Sequence, residues 1–569
     1  MRFCLILCKF AKVPFLAIIP EYMKHYFTRL QETMGRHWDS PALCNYKGES
    51  FTFGELAIHI EKFHIFFEAA GVKKGDKIAL CARNSARWAI AFLAANTYEA
   101  VVVPILAEFH PDSVNSLVDH SESVLLFTDK DMWNKLDVSK MPGLKGAVSA
   151  GDFSLLYASD PKLKESMDSL HETFQSRYPM GFTRENVSYP INNDKDIALI
   201  NYTSGTTSAP KGVMLRYESL SSNIEFGIDF MPCEFGYKMV SMLPLAHMYG
   251  MAFEFLYPLC GGVTIYFLGK TPTPSLLLGA MASVRPYLVI TVPLVMEKIF
   301  KSAVQPMLKK PVMKVLTSVP GINRIIYNKI GNKIMSAFGG NVQQIVMGGA
   351  ALNPEVEEWF RKFRIPFTVG YGMTECAPLL GYEHYSKFVS KSCGKCVERV
   401  EVRIDSEDSQ NVVGEIQARG TNVMDGYYKN PEATAAAFTE DGWLKTGDLG
   451  VIDADGNIFI RGRSKNMILS SNGQNIYPEE IEAVVNNQPY VVESVVVDRA
   501  SKIVALVYMD KDKLAADGID AEAQSSMIED MMSIINKSLP VYSRISKVEV
   551  MDEPFEKTPK MSIKRFLYK

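Results

Sequence analysis

Apolar positions in residues 51–70, FTFGELAIHIEKFHIFFEAA, recur at the three- and four-residue spacing of a helix that buries one side, and Gly71 follows as its stop. The next apolar run, Lys77–Cys81, is short and follows Gly75-Asp76, which marks a buried strand. A helix over Arg87–Tyr98 and a strand over Ala100–Ile105 continue the rhythm, which predicts parallel strands joined by helical crossovers. The texture returns at Ser241–Leu243, Val263–Phe267, Leu288–Thr291, Gln344–Met347 and Pro366–Val369. Met251–Leu268 is apolar as well, but Glu254, Pro258, Gly261 and Gly262 interrupt it, so it reads as core helix, turn and strand and not as a membrane span.

Past about Val400 the pattern changes. Glu401–Ile404, Gly414–Ala418 and Gly450–Ile460 read as antiparallel strands with Asp/Gly turns such as Asp453–Gly456. From Lys465 onward comes a helix at Pro478–Asn486, strands at Val492–Arg499 and Ile503–Asp510, a long helix at Ala521–Leu539 and a strand at Ile545–Met551. A stretch of about 100 residues can hold a core of its own, so a boundary is expected at Arg463–Asn466. The fold class is therefore α/β. A large N-terminal domain, residues 1–463, has parallel sheets with flanking helices plus a small β-barrel-like part, and residues 464–569 form a small α+β domain. Within residues 1–22 the apolar run is broken by Lys9 and Lys12 and no small-residue cleavage site follows, so this segment reads as a leader outside the core.

Composition narrows the function classes. Of 569 residues 47% are apolar and 22% charged, which suits a globular chain and excludes a disordered or fibrous one. With 61 Lys+Arg against 64 Asp+Glu, the chain lacks the basic surplus of a nucleic-acid binder. Nine scattered cysteines suit a reducing compartment, and cytoplasm is the expectation. Cys393 and Cys396 have no second Cys/His pair at zinc-ligand spacing and read as a packed loop.

The strongest chemical signal is residues 197–212, IALINYTSGTTSAPKG. An apolar strand enters a loop with hydroxyls at Thr203, Ser204, Thr206, Thr207 and Ser208, room for close approach at Gly205 and Gly212, and a cation at Lys211. Such a nest of N–H and O–H donors suits a polyphosphate, although its spacing is not that of a Walker A loop. Further motifs follow in order: residues 243–250 (LPLAHMYG), 348–351 (GGAA), 370–375 (GYGMTE), 443–448 (WLKTGD), 462–465 (GRSK), 473–478 (GQNIYP) and 479–482 (EEIE).

Together these resemble the adenylate-forming superfamily of acyl-CoA synthetases, peptide-synthetase adenylation domains and firefly luciferase, over nearly the whole chain. The resemblance implies two half-reactions: a carboxylate attacks the α-phosphorus of ATP, then a thiol, usually that of coenzyme A, displaces AMP. It implies that the 203–212 loop holds the β- and γ-phosphates, that Thr374 and Glu375 sit at the α-phosphate, and that Glu375 ligates Mg2+. Gly349, Ala350, Gly370, Tyr371 and Gly372 would enclose adenine, while Asp448 and Arg463 would hold the ribose. His247 would guard the acyl carboxylate, Lys465 would be the hinge of a mobile C-terminal lid, and Gly473 would border the coenzyme A tunnel. Residues 285–299, RPYLVITVPLVMEKI, resemble the long-chain fatty acyl branch, which makes a long-chain fatty acid the expected substrate. An acyl carrier protein as acceptor, and contact with the inner face of a membrane where such an acid partitions, stay open.

The C-terminus departs from the family pattern. Where the family has Lys-Thr-x-x-x-Lys-Ile, residues 557–563 read KTPKMSI, which places Ser562 at the catalytic lysine. Three readings follow: Lys564 or Lys560 replaces that cation, the first half-reaction runs slowly without it, or the chain is a non-catalytic nucleotide- or acyl-binding relative. Lys564 is the candidate carried forward, in an active enzyme.

Overall fold

A computed structural model of the chain describes residues 23–203, 210–270, 272–469, 474–500, 502–558 and 563–568. The segment read as a leader thus lies outside the described residues, as do Ser204–Thr207, Gly473, Lys560 and Ser562.

Three sheets organise the larger part. The widest has eight strands, in the order Gly426–Tyr427, Lys211–Arg216, Ile197–Thr203, Val101–Pro104, Lys77–Cys81, Ser123–Thr128, Gly146–Ser149 and Leu155–Ala158. Its middle is parallel, as the alternation predicted, and its outer pairs are antiparallel, so the sheet is mixed. Thr52 caps the helix Phe53–Ala69 in a reciprocal capping box with Glu55, and Gly71 follows at φ +62°, a conformation that favours glycine. A second sheet joins Lys238–Ser241, Thr264–Phe267, Pro41–Asn45 and Ser50–Thr52; a third is the parallel set Leu288–Thr291, Gln344–Met347 and Phe367–Val369. Met251–Leu268 is helix, turn and strand, and among the described residues no helix is long and apolar enough to cross a membrane.

One strand ends earlier than its apolar pattern suggests. The sequence continues apolar through Leu243, yet the ladder stops at Ser241 because the Glu254 carboxylate takes the amides of Met242 and Leu243 at 3.0 and 2.8 Å. Residues from Val400 build a four-stranded antiparallel sheet, Val400–Asp405, Gly414–Gly420, Leu444–Ile452 and Ile458–Arg463, beside a small sheet of Tyr371–Gly372, Leu379–Tyr382 and Lys395–Cys396. Cys393 and Cys396 lie at that small sheet, where burial pushes both thiols up to about 12 and keeps them protonated.

After Ile476 the chain has apolar clusters of its own. Ile481, Val485, Val507 and Ile535 are at the heart of one, and Val495, Leu506 and Phe555 of another on the far face of the strands Val491–Arg499 and Lys502–Met509. Lys301 Nζ donates to the Asn486 carbonyl at 2.9 Å, and Asn353 bonds Asn487, which ties the end of helix Pro478–Val485 to the larger part.

Candidate active site

Parallel strands deliver their carboxyl ends to a common edge, where loops rather than ladder partners take up the backbone groups. One cavity of about 1110 Å3 opens there, lined from both parts of the chain. That volume slightly exceeds the usual range for small-molecule sites.

On the phosphate side, Thr203 ends one strand and Lys211 begins its neighbour, so their pairing closes the hairpin that carries the hydroxyl-rich loop, and both line the cavity. Lys211 Nζ lies 4.9 Å from the centre of the Tyr427 ring, and the Tyr427 hydroxyl donates to Glu375 Oε1 at 3.1 Å. The ring thus spaces a cation from a carboxylate across a gap suited to charged oxygens. Tyr427 was not singled out from sequence. It lies in the two-residue edge strand Gly426–Tyr427, which pairs with the strand beginning at Lys211, a long-range contact that no local pattern marks. Thr374 and Glu375 sit in a short 3-10 turn after Met373 and both face the cavity.

Gly372 is fixed by packing, because a Cβ there would come 2.3 Å from the Pro378 carbonyl oxygen; Gly349 is fixed by conformation, at φ +83°. Both line the cavity with Gly370 and Tyr371. Ala350 is exposed beside Gly349 but is not among the lining residues.

Tyr371 brings two expected functions together. Its ring lines the cavity and its hydroxyl donates to Asp448 Oδ2 at 2.8 Å. Arg463, the cross-strand partner of Asp448, reaches Oδ1 with Nε at 2.7 Å. Burial raises the Asp448 carboxyl above the usual carboxylate range, against the pull of Arg463 and the Tyr371 hydroxyl. Each Asp448 oxygen thereby keeps a lone pair for a further donor, although Asp448 is not itself among the lining residues, whereas its partners Tyr371 and Arg463 are.

His247 stands on the opposite wall, just before the turn Met248–Gly250. Three side chains remote from it in sequence or buried behind it fix that wall. Asn84 bonds both the Leu243 carbonyl and the Leu245 amide, Asn201 donates to the Ala246 carbonyl at 2.8 Å, and Glu254 holds Met242 and Leu243. Burial pushes the Glu254 carboxyl up to about 8, so it is largely protonated at neutral pH. Past His247 the wall turns apolar with Met248, Tyr249, Phe253 and Val346. Glu254 and Phe253 ride on the π-helical segment Met251–Leu256, a geometry found mostly where function displaces a regular helix.

The C-terminal part closes the cavity with Lys465, Asn466, Glu482, Ser494, Ile563 and Arg565. Here the structure departs from expectation at Lys564. That side chain is not among the lining residues; its ammonium pairs with Glu556 at 3.1 Å, and its amide bonds the Glu556 carbonyl. The cation that this terminal segment turns to the cavity is Arg565, paired through both terminal nitrogens with Glu482. Past the Lys557–Ile563 bridge the chain enters a 3-10 turn, Arg565–Leu567, from which Arg565 and not Lys564 reaches the cavity.

Known proteins share this layout. A family profile described as "AMP-binding enzyme" matches residues 30–428, more than two-thirds of the chain. The chain belongs to the AMP-binding enzyme family. The family's C-terminal domain profile matches residues 465–568. A long-chain-fatty-acid–CoA ligase of Mycobacterium bovis is 28% identical over 561 residues, covering 90% of this chain and 89% of that protein. A chloroplastic long-chain-fatty-acid–[acyl-carrier-protein] ligase of Arabidopsis thaliana is 26% identical, covering 90% of this chain and 80% of that protein. ATP-bound MatB from Rhodopseudomonas palustris has the same fold, with a TM-score of 0.75 at 22% identity over 96% of this chain and 98% of that one. This member of the AMP-binding enzyme family therefore carries its cavity where the two matched segments meet.

Among the described residues no group of three or more His, Cys, Asp or Glu could hold a metal ion by itself. A lone carboxylate such as Glu375 still fits Mg2+, which takes one or two protein carboxylates and completes its shell with phosphate oxygens and water.

Proposed function

We propose that the protein activates a long-chain fatty acid with ATP and transfers the acyl group to coenzyme A. The observation that carries this reading is one cavity shared by Lys211, Glu375, Tyr371, Arg463 and His247, with Asp448 bonded to Tyr371 and Arg463 and an apolar wall beyond the histidine. The relatives named as long-chain-fatty-acid–CoA ligases support the choice of acid and acceptor.

In the first half-reaction a carboxylate oxygen bonds to the α-phosphorus and pyrophosphate leaves; in the second the thiol sulfur bonds to the acyl carbon, its proton passes to solvent and AMP leaves. Two anions must meet in the first step, so positioning and charge neutralisation dominate it. Lys211 and Thr203, with Ser204, Gly205, Thr206 and Thr207, take the β- and γ-phosphates. Thr374 holds the α-phosphate. Mg2+, held by Glu375, would neutralise phosphate charge. Tyr371, with Gly349, Gly370 and Gly372, encloses the base, while Asp448 accepts from the ribose hydroxyls and Arg463 keeps that carboxylate oriented. His247 marks the boundary between the polar site and the acyl wall. Residues 464–569 act as a lid turning at Lys465, with Gly473 beside the thiol's path. Lys564 and Glu556 both belong to the lid, so Lys564 enters the reaction only if a lid turn brings the pair to the phosphates and the ammonium then leaves Glu556.

A cytoplasmic enzyme working at the inner face of a membrane fits an acid that partitions there. A second reading, transfer to an acyl carrier protein, is favoured by the relative that bears that name. The test is AMP formation from ATP and Mg2+ over a chain-length series of fatty acids, with coenzyme A or carrier protein as acceptor. Thioester on coenzyme A with long acids is the expected result. Thioester on carrier alone supports the second reading, and AMP release with neither refutes both.

A further inference from the structure

Between Glu297 and Glu355 the chain contains eight Lys or Arg residues and no Asp or Glu, although its overall net charge is −3. This segment is the crossover between two adjacent parallel strands, Leu288–Thr291 and Gln344–Met347, the second of which sends Val346 into the cavity wall and leads on to Gly348 and Gly349. Its centre is a helical hairpin, Pro311–Ser318 and Ile322–Ala337.

The first helix of the hairpin buries none of its residues. Val312, Val315, Leu316 and Val319 follow the i, i+3, i+4, i+7 spacing of one helical face, and that face is open, with Val312 69% and Val315 65% exposed. The second helix is anchored on its inner side, where Ile330, Gly331 and Ile334 are buried and the Tyr327 ring packs 5.8 Å from Trp359. Ile322 and Ile325 point outward with Arg324, Lys329 and Lys333. Lys309, Lys310 and Lys314 surround the first helix and are exposed. An apolar stripe bordered by cations only is the pattern of a helix lying in a membrane interface. A soluble protein partner would be expected to meet mixed charges instead.

We propose that this hairpin docks the protein on an anionic lipid bilayer, with Val312, Val315, Leu316 and Ile325 entering the acyl boundary and Lys309, Lys310 and Lys314 at the headgroups. This goes beyond the proposed reaction, because binding is read without substrate.

The test is sedimentation of the full chain with vesicles of phosphatidylcholine alone, or of two parts phosphatidylcholine to one part phosphatidylserine. Binding to the anionic vesicles only is expected, weakening as salt rises. Each headgroup cation contributes about fivefold, so the triple variant Lys309→Glu, Lys310→Glu, Lys314→Glu should bind more than tenfold more weakly. The pair Val315→Asp, Leu316→Asp should do the same with the cations intact. Circular dichroism confirms that the variants fold. The apolar residues 1–22 are present in every variant, so binding that persists in both overturns the proposal. Equal binding to neutral vesicles overturns it as well. So does a chain that sediments as a dimer, ignores vesicles, and becomes monomeric in the Val315→Asp, Leu316→Asp variant.

Discussion

Two carboxylate–arginine pairs reach the cavity wall, the first through Arg463 alone and the second through Glu482 and Arg565, and they do different things. Asp448 and Arg463 face each other across a strand pair of the larger part; Glu482 and Arg565 join a helix to the terminal turn of the smaller one. Burial raises both carboxyls, Glu482 to about 7. The difference is in how their oxygens are occupied. Asp448 has one donor on each, and so can accept a ligand. Glu482 takes two guanidinium contacts plus the Val496 amide at 2.6 Å, which uses its acceptors for structure. The same pair of groups is a docking point in one place and a strut in the other, and their neighbours decide which.

The largest effect expected from this contrast is on Asp448→Asn. The substitution keeps the shape, removes the charge facing Arg463, and places an amide where the diol needs an acceptor. Losing charge-assisted hydrogen bonds to both hydroxyls should lower kcat/KM for ATP by about 10²- to 10³-fold. The melting temperature should move far less, because Arg463 is nearly half exposed and can turn to water. A variant that loses stability and keeps its ATP kinetics would make Asp448 a strut too and end the distinction.

Arg565→Leu tests the other pair. It leaves a buried carboxylate uncompensated, at a cost of about 2–3 kcal/mol; the figure is modest because Arg565 keeps some exposure. Chemical denaturation followed in the C-terminal part should show it, with ATP binding little changed. The pH dependence follows from the raised Glu482 carboxyl, whose ordinary value is 4.5. The folded state binds the proton more tightly, so the stability it contributes is full below about pH 4.5 and is lost as pH rises through about 7. Glu482→Gln should flatten that slope.

Tyr427→Phe comes next. Its hydroxyl donates to Glu375 and its ring spaces Lys211, and the substitution removes only the first function. A loss near 1 kcal/mol, about fivefold in kcat/KM, is expected. Titrating Mg2+ in the same assay should show a weaker apparent affinity if the hydroxyl orients Glu375 for the ion, and no change if it does not.

The sequence made the strand ends and their motifs legible because glycines, hydroxyls and charges cluster where ladders stop. Leu288–Thr291 and Gln344–Met347 begin and end where the apolar runs do. Glu254 was legible only as an interruption of an apolar run. Its role as acceptor for Met242 and Leu243 depends on a helix folding back over the strand, a contact that no local pattern encodes. Asn84 lies far from the His247 segment in sequence and was missed for the same reason. Which terminal cation reaches the cavity was not legible either, because a 3-10 turn after Ile563 decides it and turns Arg565, not Lys564, inward.

Lys564 therefore carries the smallest expected effect and the sharpest use. Its pair with Glu556 is exposed, and such pairs contribute about 0–1 kcal/mol, so Lys564→Met should leave the melting temperature unchanged. With the lid as it stands, ATP–pyrophosphate exchange should change by less than about threefold, in line with an interaction of that size. A larger fall confined to that exchange, with thioester formation from preformed acyl-adenylate intact, would mean that the lid turns and spends Lys564 on the first half-reaction alone. Both pairs lie within the lid and turn with it; the weak hold of Glu556 lets Lys564 swing free toward the phosphates once there, whereas Arg565, bound through both terminal nitrogens to a buried carboxylate, stays with Glu482 and the helix that carries it.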